Sequence, residues 1–282
     1  MESLKKSARY EQIIRPSKGW ISIDYRELWR YRELFSFLAL RDILIRYKQT
    51  AIGIAWAVIQ PVLTMVVFTV IFGKLAKLPD GGIPYPVLTF AALLPWQFFA
   101  NAMTHSSDSV VANTNMISKI YFPRLIIPTS AVISGTIDFI IAFMIFVGLL
   151  FWYQVFPTIN VLFLPLFLLL AALAALGIGL WLSALNVAYR DVKYTVPFLV
   201  RMGLYVSPVG FLSSVVPEKY RLLYSLNPMV GVIDGFRWCL LGDKAAQPFW
   251  LGLWISVAIV IILLISGAFY FKRMERTFAD II

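Results

Sequence analysis

The 282-residue chain is 60% hydrophobic and only 14% charged, with a mean hydropathy of +0.79, which excludes a soluble globular domain of ordinary composition. Its net charge of +10 does not point to nucleic acid. Eleven of the 25 Lys and Arg lie in residues 1–50 beside six acids, the pattern of a segment held against a membrane surface. One cysteine, Cys239, excludes an intrachain disulfide, and a single histidine leaves no cluster with metal-ligand spacing.

Residues 1–23 read as a polar cytoplasmic arm, interrupted by Pro16 and Gly19. Over residues 24–48 the pattern turns amphipathic. Leu28, Tyr31, Leu34, Phe35 and Leu38 share one helical face, opposite Arg26, Arg30 and Glu33. This predicts a helix lying in the membrane interface or packed on the protein itself, and the nearness of the first span favours the interface. A basic doorstep follows, Arg46-Tyr47-Lys48-Gln49-Thr50. From Ala51 to Phe72 no residue is charged, a run longer than the roughly 20 residues a helix needs to cross the hydrocarbon. Cations at its start place that end in the cytoplasm. No cleavable signal peptide is expected, because the first apolar run begins only near residue 51.

The transmembrane part is expected over residues 49–282, with spans at about 51–72, 87–107, 124–153, 161–184, 196–212 and 249–271. Pro95, beside Trp96, should bend the second span. Residues 108–122 form a short cytoplasmic helical element, and Asn186, Arg190, Asp191 and Lys193 mark the cytoplasmic loop after the fourth span. Residues 213–248 hold two short apolar pieces around Asn227-Pro228, which predicts a re-entrant hairpin on the outer side. This layout puts 18 Lys and Arg inside and six outside, the six being Lys74, Lys77, Lys219, Arg221, Arg237 and Lys244. The bias fixes both termini in the cytoplasm. The fold class is therefore an all-α polytopic membrane protein with six spans.

Candidate chemistry is sparse. His105 stands beside Ser106, Ser107, Asp108 and Ser109, but consecutive helical residues fan apart and do not form a relay; a stand-alone acyltransferase or hydrolase is the weaker reading. No Gly-x-x-x-x-Gly-Lys-Ser/Thr loop occurs, so any ATP-driven motor is another chain. Asp138 and Arg201 fall at membrane depth, where charges either pair structurally or serve a pathway.

Four sequence marks in order resemble the membrane subunit of ABC-2 type polysaccharide exporters. They are Arg46-Tyr47-x-x-Thr50-x-x-Gly53-x-x-Trp56 followed by Pro61; Leu94-Pro95-Trp96-x-Phe98-Phe99-x-Asn101; Leu185-Asn186-x-x-x-Arg190-Asp191 with Lys193; and Asn227-Pro228-Met229. The resemblance covers nearly the whole chain from about residue 34. It implies a bacterial inner-membrane permease that dimerises with a second copy and binds two ATP-binding cassette subunits, which carry ATP and Mg. The implied cargo is an undecaprenyl-pyrophosphate-linked polysaccharide such as O-antigen, with a lipid or a drug as the alternative. Under that resemblance Arg46, Tyr47, Lys48 and Thr50 lie where the pyrophosphate enters. Asn113, Asn115 and Lys119 contact the ATPase from the coupling helix, and Asn227-Pro228 belongs to an outer gate. Trp96, Phe98, Phe99 and Tyr205 offer flat channel surfaces to a sliding sugar chain. No catalytic residue, metal site or cofactor of its own is expected.

Overall fold

The computed structural model describes residues 25–48, 51–242 and 249–278. The expected arm at 1–23 and the doorstep residue Thr50 lie outside the described residues. Two helices, α1 (Tyr25–Arg30) and α2 (Arg32–Lys48), precede α3 (Ala51–Phe68), which continues as a π-helical stretch, Thr69–Leu75. After them come α4 (Tyr85–Ala112), the single turn α5 (Thr114–Ile117), α6 (Ile126–Trp152) and α7 (Leu164–Ala188). The chain ends with α8 (Val192–Val206), α9 (Glu218–Tyr224), α10 (Pro228–Leu241) and α11 (Trp250–Met274). Every regular element among the described residues is helical.

Five helical segments are long and apolar enough to cross a membrane: Val58–Leu75, Tyr85–Ala112, Ile126–Trp152, Ile159–Ala188 and Trp250–Met274. The span expected at 196–212 takes another form. α8 starts earlier, at Val192, and stops after 15 residues, about 22 Å of helix and short of a bilayer core. Pro208 ends it by driving Ser207 into an extended conformation (ψ 155°). The non-helical chain beyond Ser207 then reaches Tyr85 at the start of α4, whose hydroxyl donates to the Gly210 carbonyl.

α4 is the axis of the fold. Its apolar window is 83% buried against 17% for the window ending α3, because α6 and α7 pack on both sides of it and α10 closes a third. It runs unbroken through Pro95 and on to Ala112, so the helix extends into the region expected to be a separate cytoplasmic element. α7 and α11 approach most closely at glycine. A Cβ on Gly177 would lie 2.8 Å from the Leu264 backbone nitrogen, and one on Gly267 would strike the Gly177 carbonyl. Small residues permit this backbone approach in lipid, where packing rather than hydrophobicity drives helix association. Trp181 and Tyr270 stack beside it at 4.2 Å. Gly177→Val should therefore cost about 1–3 kcal/mol by overpacking. The check is thermal unfolding in detergent: a clearly lowered midpoint is expected, and an unchanged one would refute the close contact.

One end of the bundle has its own small core. Leu38 of α2, Val110 of α4, Ile117, Ile126, Ala184 and Phe271 meet there with Phe278, so both ends of the described chain lie on the same side. Arg124 ties the start of α6 to this end by donating to the Glu275 carbonyl, and Lys272 pairs with the Glu275 carboxylate at 2.6 Å.

Candidate functional site

A cavity of about 470 Å³ opens between α2, α3, α4, α6 and α8. Arg46 and Tyr47, in the last turn of α2, enter it at one end. Both bond Asp138 of α6: the Arg46 guanidinium pairs with one carboxylate oxygen, and the Tyr47 hydroxyl donates to the other. The carboxylate at membrane depth is thus satisfied from the doorstep 92 residues earlier, not by Arg201. Burial, with the Asp138 hydrogen bond and charge adding to it, raises the Tyr47 phenol well above its ordinary pKa, so Tyr47 stays a donor. His105 also lines the cavity, and Trp56, Gln60 and Thr64 of α3 form one wall. Trp96, Gln97 and Asn101 of α4 form another, and Arg201 enters from α8. Arg201 is exposed and makes no ion pair or hydrogen bond among the described residues. Lys48 is exposed on the opposite, apolar side of α2, near Leu44 and Ile45.

Trp96 separates this space from a second cavity of about 320 Å³, lined by Trp96, Phe99, Val200, Ser207, Asn227 and Pro228 among others. The Trp96 and Phe99 rings lie 5.6 Å apart. Phe98 turns the other way, into the core against Phe139 at 5.9 Å. Tyr205 is exposed on α8 and meets Phe68 at 6.1 Å. Two of the four aromatics assigned to a channel therefore line cavities, one is core, and one is a surface residue.

The far end of the bundle is built around Asn227 and Arg237. Asn227 caps α10, its side chain accepting from the Met229 N–H, and Pro228 fits the first turn because its missing N–H has no partner there. Its amide also donates to Ser207 Oγ at 2.9 Å. Arg237, counted among the six cations on the outer side, is fully buried in α10. Its guanidinium donates to the carbonyls of Phe211 (2.8 Å), Val209 (3.0 Å) and Leu88 (3.3 Å). Tyr85 donates to Gly210, Tyr224 to Val206, and Ser213 to Asp234. The physical reason is the broken helix. Carbonyls that follow Val206 have no helical donors and little access to water, so side chains must supply them. Arg237 and Asp234, three residues apart in an apolar stretch, were the available signal, since such a pair faces one side of a helix.

At the other end Asn186 donates to the Ser107 carbonyl and to Asp108, fastening α7 to α4. Asn113 caps α4 by donating to the Ser109 carbonyl, whereas Asn115 and Lys119 are exposed beside Ile120 and Tyr121. Arg190, Asp191 and Lys193 are exposed with Tyr189 and Tyr194. Among the described residues no hydrogen bond joins His105 to a serine, and the Ser106 and Ser107 hydroxyls are buried without partners, so the patch lacks the nucleophile–base contact of acyl transfer.

These features define a multi-span helical membrane protein with a polar cavity between its helices. Residues 33–241 match the family model described as ABC-2 type transporter, and the chain belongs to that family. It is 28% identical over 260 residues to the O-antigen export system permease protein RfbA of Myxococcus xanthus, covering 90% of this chain and 97% of that one. It is likewise 28% identical over 252 residues to RfbA of Klebsiella pneumoniae, covering 89% and 95%. The polysialic acid transport protein KpsM of Escherichia coli is 23% identical over 243 residues, covering 84% and 92%.

Proposed function

We propose that the chain is the membrane subunit of an ATP-driven exporter that carries a lipid-linked polysaccharide, O-antigen on undecaprenyl pyrophosphate, across a bacterial inner membrane. The observation that carries this reading is the near full-length similarity to permeases named for O-antigen export. The cavity supports it, because it sets Arg46 and Tyr47 at one end and polar and aromatic walls above them. Two copies form the pathway, and two ATP-binding cassette subunits supply ATP, Mg and hydrolysis. In this reading the bundle end holding Leu38 and Phe278 is cytoplasmic, as are both termini. The fifth of six passes is α8 with its non-helical continuation, and α9 and α10 form the re-entrant outer hairpin. Membrane lipid surrounds α3, α11 and the apolar side of α2.

The ATPase docks on the exposed stretch around Asn115, Lys119 and Ile120, and on Arg190 to Lys193. Ile120 is 59% exposed, so Ile120→Asp should leave the subunit folded and weaken its capture of the ATPase by about tenfold, roughly the loss of one well-placed interface residue. The experiment is purification of the tagged chain from its native membrane in mild detergent. Recovery of an ATP-binding cassette subunit in equal amount, reduced for Ile120→Asp, is expected. A homo-oligomer without such a partner contradicts the reading.

A further inference from the structure

The cavity is lined by two arginines and one carboxylate. Arg46 and Tyr47 are occupied by Asp138, and Arg201, across the same cavity, has no ionic partner among the described residues. A purely structural pair would need neither a second arginine lining the same space nor an open cavity. A carboxylate is also the side chain that most resembles a phosphate oxygen pair to an arginine fork. We propose that Asp138 is an internal stand-in for the phosphate of the cargo: it holds Arg46 and Tyr47 until an anionic head group, attracted first by Arg201, displaces it. This rests on the cargo reading above and adds to it a residue that sets how tightly the head group is held. Asp138 keeps the site from being a strong phosphate trap, which an exporter must avoid because the head group has to leave. With Asp138 in place, any phosphate that enters meets a like charge and must compete for both donors.

The test uses the purified full-length chain in nanodiscs, with farnesyl pyrophosphate as a short lipid probe and inorganic pyrophosphate as a soluble one. Asp138→Asn should bind farnesyl pyrophosphate about tenfold more tightly than the parent, since a like charge a few ångströms away is removed. Arg46→Gln and Arg201→Gln should each bind it about tenfold more weakly. Asp138→Glu should keep the parent affinity. If Asp138→Asn alone does not fold, the comparison moves to an Arg46→Gln background, which has no ion pair left to lose. There, added Asp138→Asn should still tighten binding through lost repulsion. Equal or weaker binding by folded Asp138→Asn overturns the proposal while leaving the cargo reading intact. Equal affinity for both probes would assign the site to a soluble anion and contradict the lipid-linked cargo. Failure of the parent and every variant to bind farnesyl pyrophosphate overturns both.

Discussion

Replacing Arg237 with leucine is expected to destabilise the chain by about 3–5 kcal/mol, the range for removing one partner from a buried polar network. The side chain is fully buried and serves three carbonyls at once, those of Leu88, Val209 and Phe211. Leucine leaves the Val209 and Phe211 carbonyls, which lie outside any helix, without their side-chain donor, while Leu88 keeps the backbone donor of its own helix. Lysine should rescue little, because one ammonium cannot reproduce the planar fork. The measurement is thermal unfolding in detergent combined with limited proteolysis. A lowered midpoint with new cleavage between Ser207 and Pro217 is expected. An unchanged midpoint would mean that the broken end of α8 is held by something other than Arg237.

The second large effect is expected at Trp96. Its ring is 5% exposed, and it fills the notch left by Gly203, where an added Cβ would lie 2.7 Å from the indole. Trp96→Ala removes the partition between the two cavities and should cost about 3–5 kcal/mol, as large-to-small changes of buried tryptophan do. Trp96→Phe should retain part of that stability. Export of surface polysaccharide should fall with Trp96→Ala by more than the drop in protein level. Normal stability for Trp96→Ala would contradict its place as the packed wall between α4 and α8.

Charge-free runs made most of the long helices legible, since crossing hydrocarbon demands length and apolarity and little else. The break at Asn227-Pro228 was legible as a boundary between two short apolar pieces, and the structure shows it to be the N-cap of α10, with Asn227 accepting from the Met229 N–H. The end of α8 was harder. Hydropathy carries Ser207-Pro208-Val209-Gly210-Phe211-Leu212 forward as more apolar helix, although Pro208 forbids it. The partners of Arg237 were likewise out of reach, because the carbonyls of Val209 and Phe211 become orphans only where the helix breaks. The Arg46–Asp138 pair was out of reach, because each residue is costly alone and only the folded arrangement of α2 against α6 joins them. Phe98 and Phe99 are neighbours with the same chemistry, and only helix rotation sends one to the core and the other to a cavity.

The most direct measurement follows the polysaccharide on both sides of the inner membrane after deletion of the gene in its native host. Surface polymer should disappear while lipid-linked polymer accumulates on the cytoplasmic side, with both defects reversed by the parent chain and not by Arg237→Leu. Unchanged surface polysaccharide in the deletion strain, with no cytoplasmic accumulation, would contradict the export function.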